Sequence, residues 1–194
     1  MSGERATKML ILSSARTLFS EKGYDQTAVE EICELAGVAK GTFFYHFESK
    51  QYIVRYILVM QLQEFKDRLK EQMDTFKDPI SKVEYFISAL IEKSEINSET
   101  KTYFKDGESE WFKTVVNEER MNALYPLLED AVFEGIEGGL FRIKNPSICT
   151  SIAFMGIDSF LNQGMVNGDA AKKGIQELTA RALGIRESAF AIQS

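Results

Sequence analysis

Residues Thr27 to Lys50 read TAVEEICELAGVAKGTFFYHFESK, and the fold follows from this stretch. Thr27 with Glu30 three residues later predicts a reciprocally capped helix start. Val29, Ile32, Cys33 and Ala36 recur at helical spacing and give that helix one buried face. Gly37 stands where a helix ends in a left-handed residue, a conformation glycine adopts without strain. Val38 is the apolar plug of the corner. The second helix, Lys40 to Phe47, is barely two turns long. Phe43 and Phe47, four apart, face inward, which leaves Lys40, Thr42, Phe44, Tyr45 and His46 pointing out. A surface of aromatics, a hydroxyl, a lysine and an imidazole is poorly matched to water. It is well matched to phosphates and methyl groups, as a DNA major groove presents them. The two helices read as a helix-turn-helix with Lys40–Phe47 as the recognition helix.

The run Gly37 to Lys50, G-V-A-K-G-T-F-F-Y-H-F-E-S-K, resembles the signature of the TetR family of transcriptional regulators, over about residues 5–55. Beyond residue 55 the resemblance is one of helix plan and length. It implies phosphate contacts for Thr42, Tyr45 and His46, the sole histidine. Phe44 departs from the family pattern, where tyrosine is commonest, so it loses one phosphate donor. It touches a thymine methyl or covers the sugar backbone instead. Lys40 and Gly41, at the corner, are the residues expected to approach base edges. Lys50 faces the positive end of a helix dipole, a misplacement that a bound phosphate would explain. Thr27, at a helix N-terminus, completes the expected DNA contacts.

Composition sets the outer bounds. At 194 residues the chain buries a core without staples, and its 44% hydrophobic and 27% charged residues are those of an ordinary globular protein. No apolar run reaches about 18 residues, so no membrane span is expected. The start, MSGERATKM, lacks the apolar core of a secretion signal and points to the cytoplasm. Cys33 and Cys149 sit in apolar helical settings and read as reduced thiols. One histidine, no cysteine pair at ligand spacing and no phosphate-binding glycine loop argue against an enzyme, a metal site or a cofactor. The net charge of −6 argues against a nucleic-acid coater, and residues 1–50 carry six Lys/Arg against seven Asp/Glu. A reader of one specific site survives that test, provided Glu30, Glu31 and Glu34 point away from the phosphates. Lys8 and Arg5 would then supplement the helix N-termini.

The remaining chain reads as helices throughout. Residues 1–4 are expected to be disordered, and a helix spans Arg5 to Lys22. Ser49 caps a long helix from Lys50 to about Phe76. Asp78–Pro79 restarts the chain into a helix from Ile80 to about Ile96. Residues 97–107 are polar with a turn signal at Asp106–Gly107. A short helix follows near Ser109–Val116, then one from Glu118 to Glu137 that Pro126 should kink. Asn145–Pro146 opens a helix to Val166 that is apolar almost all round and must be covered on every face. Within it, Ser147, Ser151, Asp158 and Asn162 form a polar stripe, so Asp158 is expected at solvent or an interface edge, with a ligand-pocket role as the lesser alternative. Asp169 caps the last helix, Ala170–Leu183.

The fold class is therefore all-α, with a three-helix DNA-binding domain over residues 1–50 and a helical effector-binding and dimerisation domain over 51–194. What the resemblance implies is a ligand-responsive regulator, a repressor whose effector displaces the long fourth helix and spoils the operator spacing of a homodimer. Residues Met60, Phe86, Trp111 and Tyr125 are the expected effector lining. The helix opened by Pro146 should meet its twofold mate through Ile157 and Leu161, with Gly156, Gly164 and Ala153 permitting close approach. The alternative is an architectural, chromosome-organising DNA binder on the same fold, with many sites and no small-molecule response.

Overall fold

The computed structural model describes residues 2–92, 98–104, 107, 109–162 and 169–185. The described helices are α1 (Ser2–Lys22), α2 (Val29–Ala36), α3 (Lys40–His46), α4 (Lys50–Met73), α5 (Pro79–Glu92), α6 (Ser98–Thr102), α7 (Glu110–Glu137), α8 (Pro146–Asn162) and α9 (Asp169–Leu183). No strand occurs among the described residues. The all-α expectation holds. The expected helix end at Ile96, the turn residue Asp106, and Gly164, Met165 and Val166 lie outside the described residues.

Several boundaries differ from expectation, each for a physical reason. α1 begins at Ser2, so Gly3 and Glu4, expected to be disordered, are helical. The cap of α2 falls one residue later than expected. The cap residue is Ala28, and Glu31, not Glu30, accepts the Ala28 backbone N–H at 2.8 Å. The polar segment after residue 97 holds the one-turn α6. The two helices expected near Ser109–Val116 and over Glu118–Glu137 are one, and α7 runs unbroken through Pro126.

The chain divides into two compact units, 1–61 with 97–119 and 62–96 with 120–194. In the first, α1 packs on α2 and α2 on α3. Ile11, Leu12, Ala15, Phe19, Ile32, Phe43, Phe47, Ile53, Val54 and Ile57 form its core. α3 spans seven residues and is too short to be stable in isolation. Burial of Phe43 and Phe47, at about 2–3 kcal/mol each, holds it instead. Glu99 on α6 ties the unit together. It accepts hydrogen bonds from Arg16 Nε (2.8 Å), Arg16 Nη2 (2.9 Å), Gln61 Nε2 (2.6 Å) and the Tyr103 hydroxyl (2.6 Å). The hydrogen bonds from Tyr103 and Arg16 outweigh its burial and hold the Glu99 carboxyl below the usual range.

In the second unit, α8 packs against α5 and α9. Its core includes Leu62, Phe65, Leu69, Val83, Phe86, Leu124, Leu128, Phe154 and Ile175. Asp158 corrects the expectation of an exposed stripe. It is buried, and its Oδ1 accepts from Nε of Arg120 at 2.6 Å. Arg120 is itself fully buried, so the carboxylate goes inward to meet a charge that would otherwise lie unpaired in the core.

After α9 the chain turns at Gly184, with φ of +63° and the Ile185 N–H donating to the Ala180 carbonyl at 2.8 Å. A Cβ there would stand 2.6 Å from the Arg142 carbonyl oxygen. Gly184→Ala therefore combines left-handed strain with a backbone clash and should destabilise the protein by about 2–3 kcal/mol. A urea melt of the two proteins measures the difference.

Candidate nucleic-acid interface

The corner of the helix-turn-helix is built by local hydrogen bonding. Gly37 takes φ of +65°, its N–H donates to the Glu34 carbonyl at 3.1 Å, and the Val38 N–H donates to the Cys33 carbonyl at 3.0 Å. That closes α2 and aims α3. Ala39, the cap of α3, offers no side-chain acceptor to the first N–H groups of the helix, and the Thr42 N–H donates to the Ala39 carbonyl at 2.9 Å. Phe43 and Phe47 are 0% and 1% exposed, whereas Phe44 is 47% and Tyr45 72% exposed. Lys40 and Gly41 are exposed, and Thr42 and His46 half-buried. A Cβ on Gly41 would meet nothing within 4 Å, so its own fold does not require glycine there.

The polar tips of this surface are engaged with acids. Lys40 pairs with Glu30, and that hydrogen bond holds the Glu30 carboxyl below its ordinary range. The Tyr45 hydroxyl donates to Glu4 Oε1 at 3.0 Å. Glu31 pairs with Lys22. Lys8, expected as a supplementary phosphate donor, stacks instead, with Nζ 4.1 Å from the Tyr56 ring centroid and 5.4 Å from that of Phe47.

Two expected contacts have a different role in the fold. Thr27 is buried and its hydroxyl donates to the Gly23 carbonyl at 2.7 Å. Lys50, expected to be held by a phosphate, has partners within the fold itself. Its Nζ donates to the carbonyls of Tyr24 (2.7 Å), Thr27 (3.0 Å) and Asp25 (3.4 Å), and stands 4.3 Å from the Tyr24 ring centroid. Burial lowers its pKa. Those carbonyls belong to the link between α1 and α2, so Lys50 clamps that link to the start of α4. Ser49 caps α4 as expected, its Oγ accepting the Tyr52 N–H at 3.2 Å. Phe44, Thr27 and Lys50 also line one open groove with Ala28, Val29 and Ser49.

Residues 11–57 match the bacterial regulatory proteins of the tetR family. The likeness to that family is carried by this N-terminal segment, which holds α2 and α3. The regulator UidR of Escherichia coli strain K12 is 27% identical over 85 residues, 44% of this chain and 41% of UidR. The match thus spans about two fifths of that curated relative. The regulator QacR of Staphylococcus aureus strain Mu50 is 27% identical over 164 residues, 81% of this chain and 87% of QacR. The structure of RolR in complex with resorcinol shares the fold, with a TM-score of 0.68 at 20% identity over 96% of this chain and 92% of that one.

The other expected residues fall in both units. Phe86 is buried and Tyr125 half-buried, and both rings meet Phe154, at 6.2 and 6.1 Å. Met60 and Trp111 belong to the first unit. There Trp111 packs 5.6 Å from the ring of Tyr24 and 5.8 Å from that of Phe104. Ile157 and Leu161, expected at the dimer contact, are 2% and 3% exposed within their own unit. They face its core. The exposed apolar side chains of α8 are Ile148, Ile152 and Met155, with Leu178 on α9. Arg120 escaped sequence reading because nothing near it in the chain marks it as Asp158's partner.

Lys50→Met should remove the three carbonyl contacts and destabilise the protein by about 1–3 kcal/mol. Chemical denaturation checks this, and an unchanged midpoint would mean the clamp holds nothing.

Proposed function

We propose that the protein is a ligand-responsive transcriptional repressor that binds a palindromic operator as a homodimer and releases it on taking up a bulky, largely apolar effector. The observation that carries the reading is α3, a helix held by two buried phenylalanines that displays Lys40, Gly41, Thr42, Phe44, Tyr45 and His46 on its outer side. Lys40 and Gly41 approach base edges, Thr42, Tyr45 and His46 meet phosphates, and Phe44 covers a methyl or the sugar backbone. Half-sites lie about one helical turn or somewhat more apart.

The dimer forms through α8 and α9 as an isologous four-helix contact centred on Ile148, Ile152, Met155 and Leu178, since these apolar side chains have no cover in the single chain. The effector binds among the helices of the second unit, with Phe86 and Tyr125 in the lining. Residues beyond 50 carry 17 Lys/Arg against 22 Asp/Glu, which favours neutral or cationic effectors over anionic ones. α4 and α7 contribute residues to both units, which supports them as the carriers of coupling. Effector and operator then weaken each other's binding by the same factor, a coupling of about 1–3 kcal/mol.

Binding to a random-site DNA library tests the reading. A twofold-symmetric site should emerge, Tyr45→Phe and Thr42→Ala should weaken it, and Lys40→Ala should weaken it more than it weakens random DNA. Gly41→Ala is the sharpest probe. It should raise stability by up to about 1 kcal/mol yet cost about tenfold or more in operator affinity, because its methyl occupies the space of a base contact. Failure to bind any duplex would end the proposal.

The assembly has its own test in sedimentation. Ile152→Glu should give a folded monomer that has lost operator affinity. Ile157→Glu should instead destabilise the subunit itself by more than about 3 kcal/mol, since it buries an unpaired charge. A wild-type chain that is monomeric at micromolar concentration would refute the dimer.

A further inference from the structure

The effector's chemical class can be narrowed, on the reading that the second unit binds one. Arg120 on α7 is fully buried, and a guanidinium keeps its charge wherever it is placed. Its Nε donates to Asp158 Oδ1 at 2.6 Å, and Nη2 lies 2.5 Å from that same oxygen. Nη1 is buried and has no protein acceptor among the described residues. Two turns before Asp158, on the same side of α8, Thr150 is also fully buried, and its Oγ1 has no protein partner there either. Between the two, Phe154 meets the rings of Phe86 and Tyr125. Polar groups without partners thus flank an aromatic cluster along roughly 12 Å of helix.

A buried donor without an acceptor bears the whole cost of its lost hydration, and a charged donor bears more. Native interiors rarely leave such groups unmatched, and the aromatic rings between them suit an apolar body. Charge then decides which acceptor fits. Asp158 already neutralises Arg120, so an anionic ligand would bury a second negative charge against one guanidinium. The Tyr125 hydroxyl donates to Glu129 at 2.6 Å, which brings a further carboxylate to the same neighbourhood. A neutral oxygen adds no charge and still satisfies Nη1. We propose that the effector is a neutral molecule with an aromatic or similarly flat apolar body and a carbonyl or ether-type oxygen. That oxygen accepts from Nη1 of Arg120, and a second polar atom pairs with Thr150.

The test uses the full chain and three probes of one skeleton: biphenyl, acetylbiphenyl and biphenyl carboxylate. Calorimetry or equilibrium dialysis should give acetylbiphenyl a Kd about tenfold below that of either other probe, the value of one well-made hydrogen bond to a charged donor. Thr150→Val, which keeps shape and loses the hydroxyl, should weaken acetylbiphenyl and leave biphenyl unchanged. Replacing the ion pair by Arg120→Met with Asp158→Leu should bring the acetylbiphenyl and biphenyl affinities together, and the Thr150 variant keeps the test decisive if that double variant does not fold. The proposal is overturned if the carboxylate binds tightest or if the ketone preference survives in the double variant. It is also overturned if no probe binds while operator binding is intact, since Nη1 is then served by buried water alone. Loss of operator binding in the wild-type chain would instead strike the repressor reading.

Discussion

The first unit depends on Tyr24. Its carbonyl takes a hydrogen bond from Lys50, and its N–H donates to the Tyr103 carbonyl at 2.7 Å. Its ring lies 5.5 Å from Phe19, 5.2 Å from Phe104 and 5.6 Å from Trp111. One residue in the link between α1 and α2 therefore joins α1, the start of α4, the end of α6 and the start of α7. The Glu99 carboxylate makes a second tie among α1, α4 and α6. A three-helix motif of some fifty residues buries little surface by itself. These ties enlarge its core with residues from more than seventy positions later in the chain. The structural unit that carries α3 is accordingly larger than residues 1–50.

What could be read from the sequence was local. The glycine at the corner, the spacing of Phe43 and Phe47, the cap at Ser49 and the proline at the start of α5 and α8 all act within a few residues, and each stands where its chemistry predicts. What could not be read was decided at a distance. Lys50 looked like an electrostatic error at a helix start because its acceptors, 23 to 26 residues earlier, are invisible in the local pattern. Asp158 looked like a surface carboxylate because its arginine lies 38 positions away. α6 has too few residues, and too polar a set, for periodicity to register.

The faces of α8 illustrate another limit. A helix apolar on all sides has no preferred direction in its pattern, so nothing separates Ile157 from Ile152 until the rest of the unit is folded around them. Burial then assigns Ala153, Phe154, Ile157 and Leu161 to the interior and leaves Ile148, Ile152 and Met155 outside. The α2 cap failed more narrowly. Thr27 is a good capping residue, but its hydroxyl is spent on Gly23, and the acid one position beyond the expected one supplies the contact.

If α3 reads DNA as proposed, the acids around it bear on how the protein would find one site among many. Glu30 holds Lys40, and Glu4 holds the hydroxyl of Tyr45. A nucleic-acid strand that meets this surface gains those donors only by exchanging phosphate for carboxylate, so the net attraction per contact is smaller than the donors alone suggest. Random duplex, which offers phosphates and little else, gains least from the exchange. A matched sequence adds base-edge contacts on top of it. On the proposed reading of α3, acidity beside the helix would thus lower the background of loose binding along a chromosome, and the protein would spend less of its time on the wrong DNA.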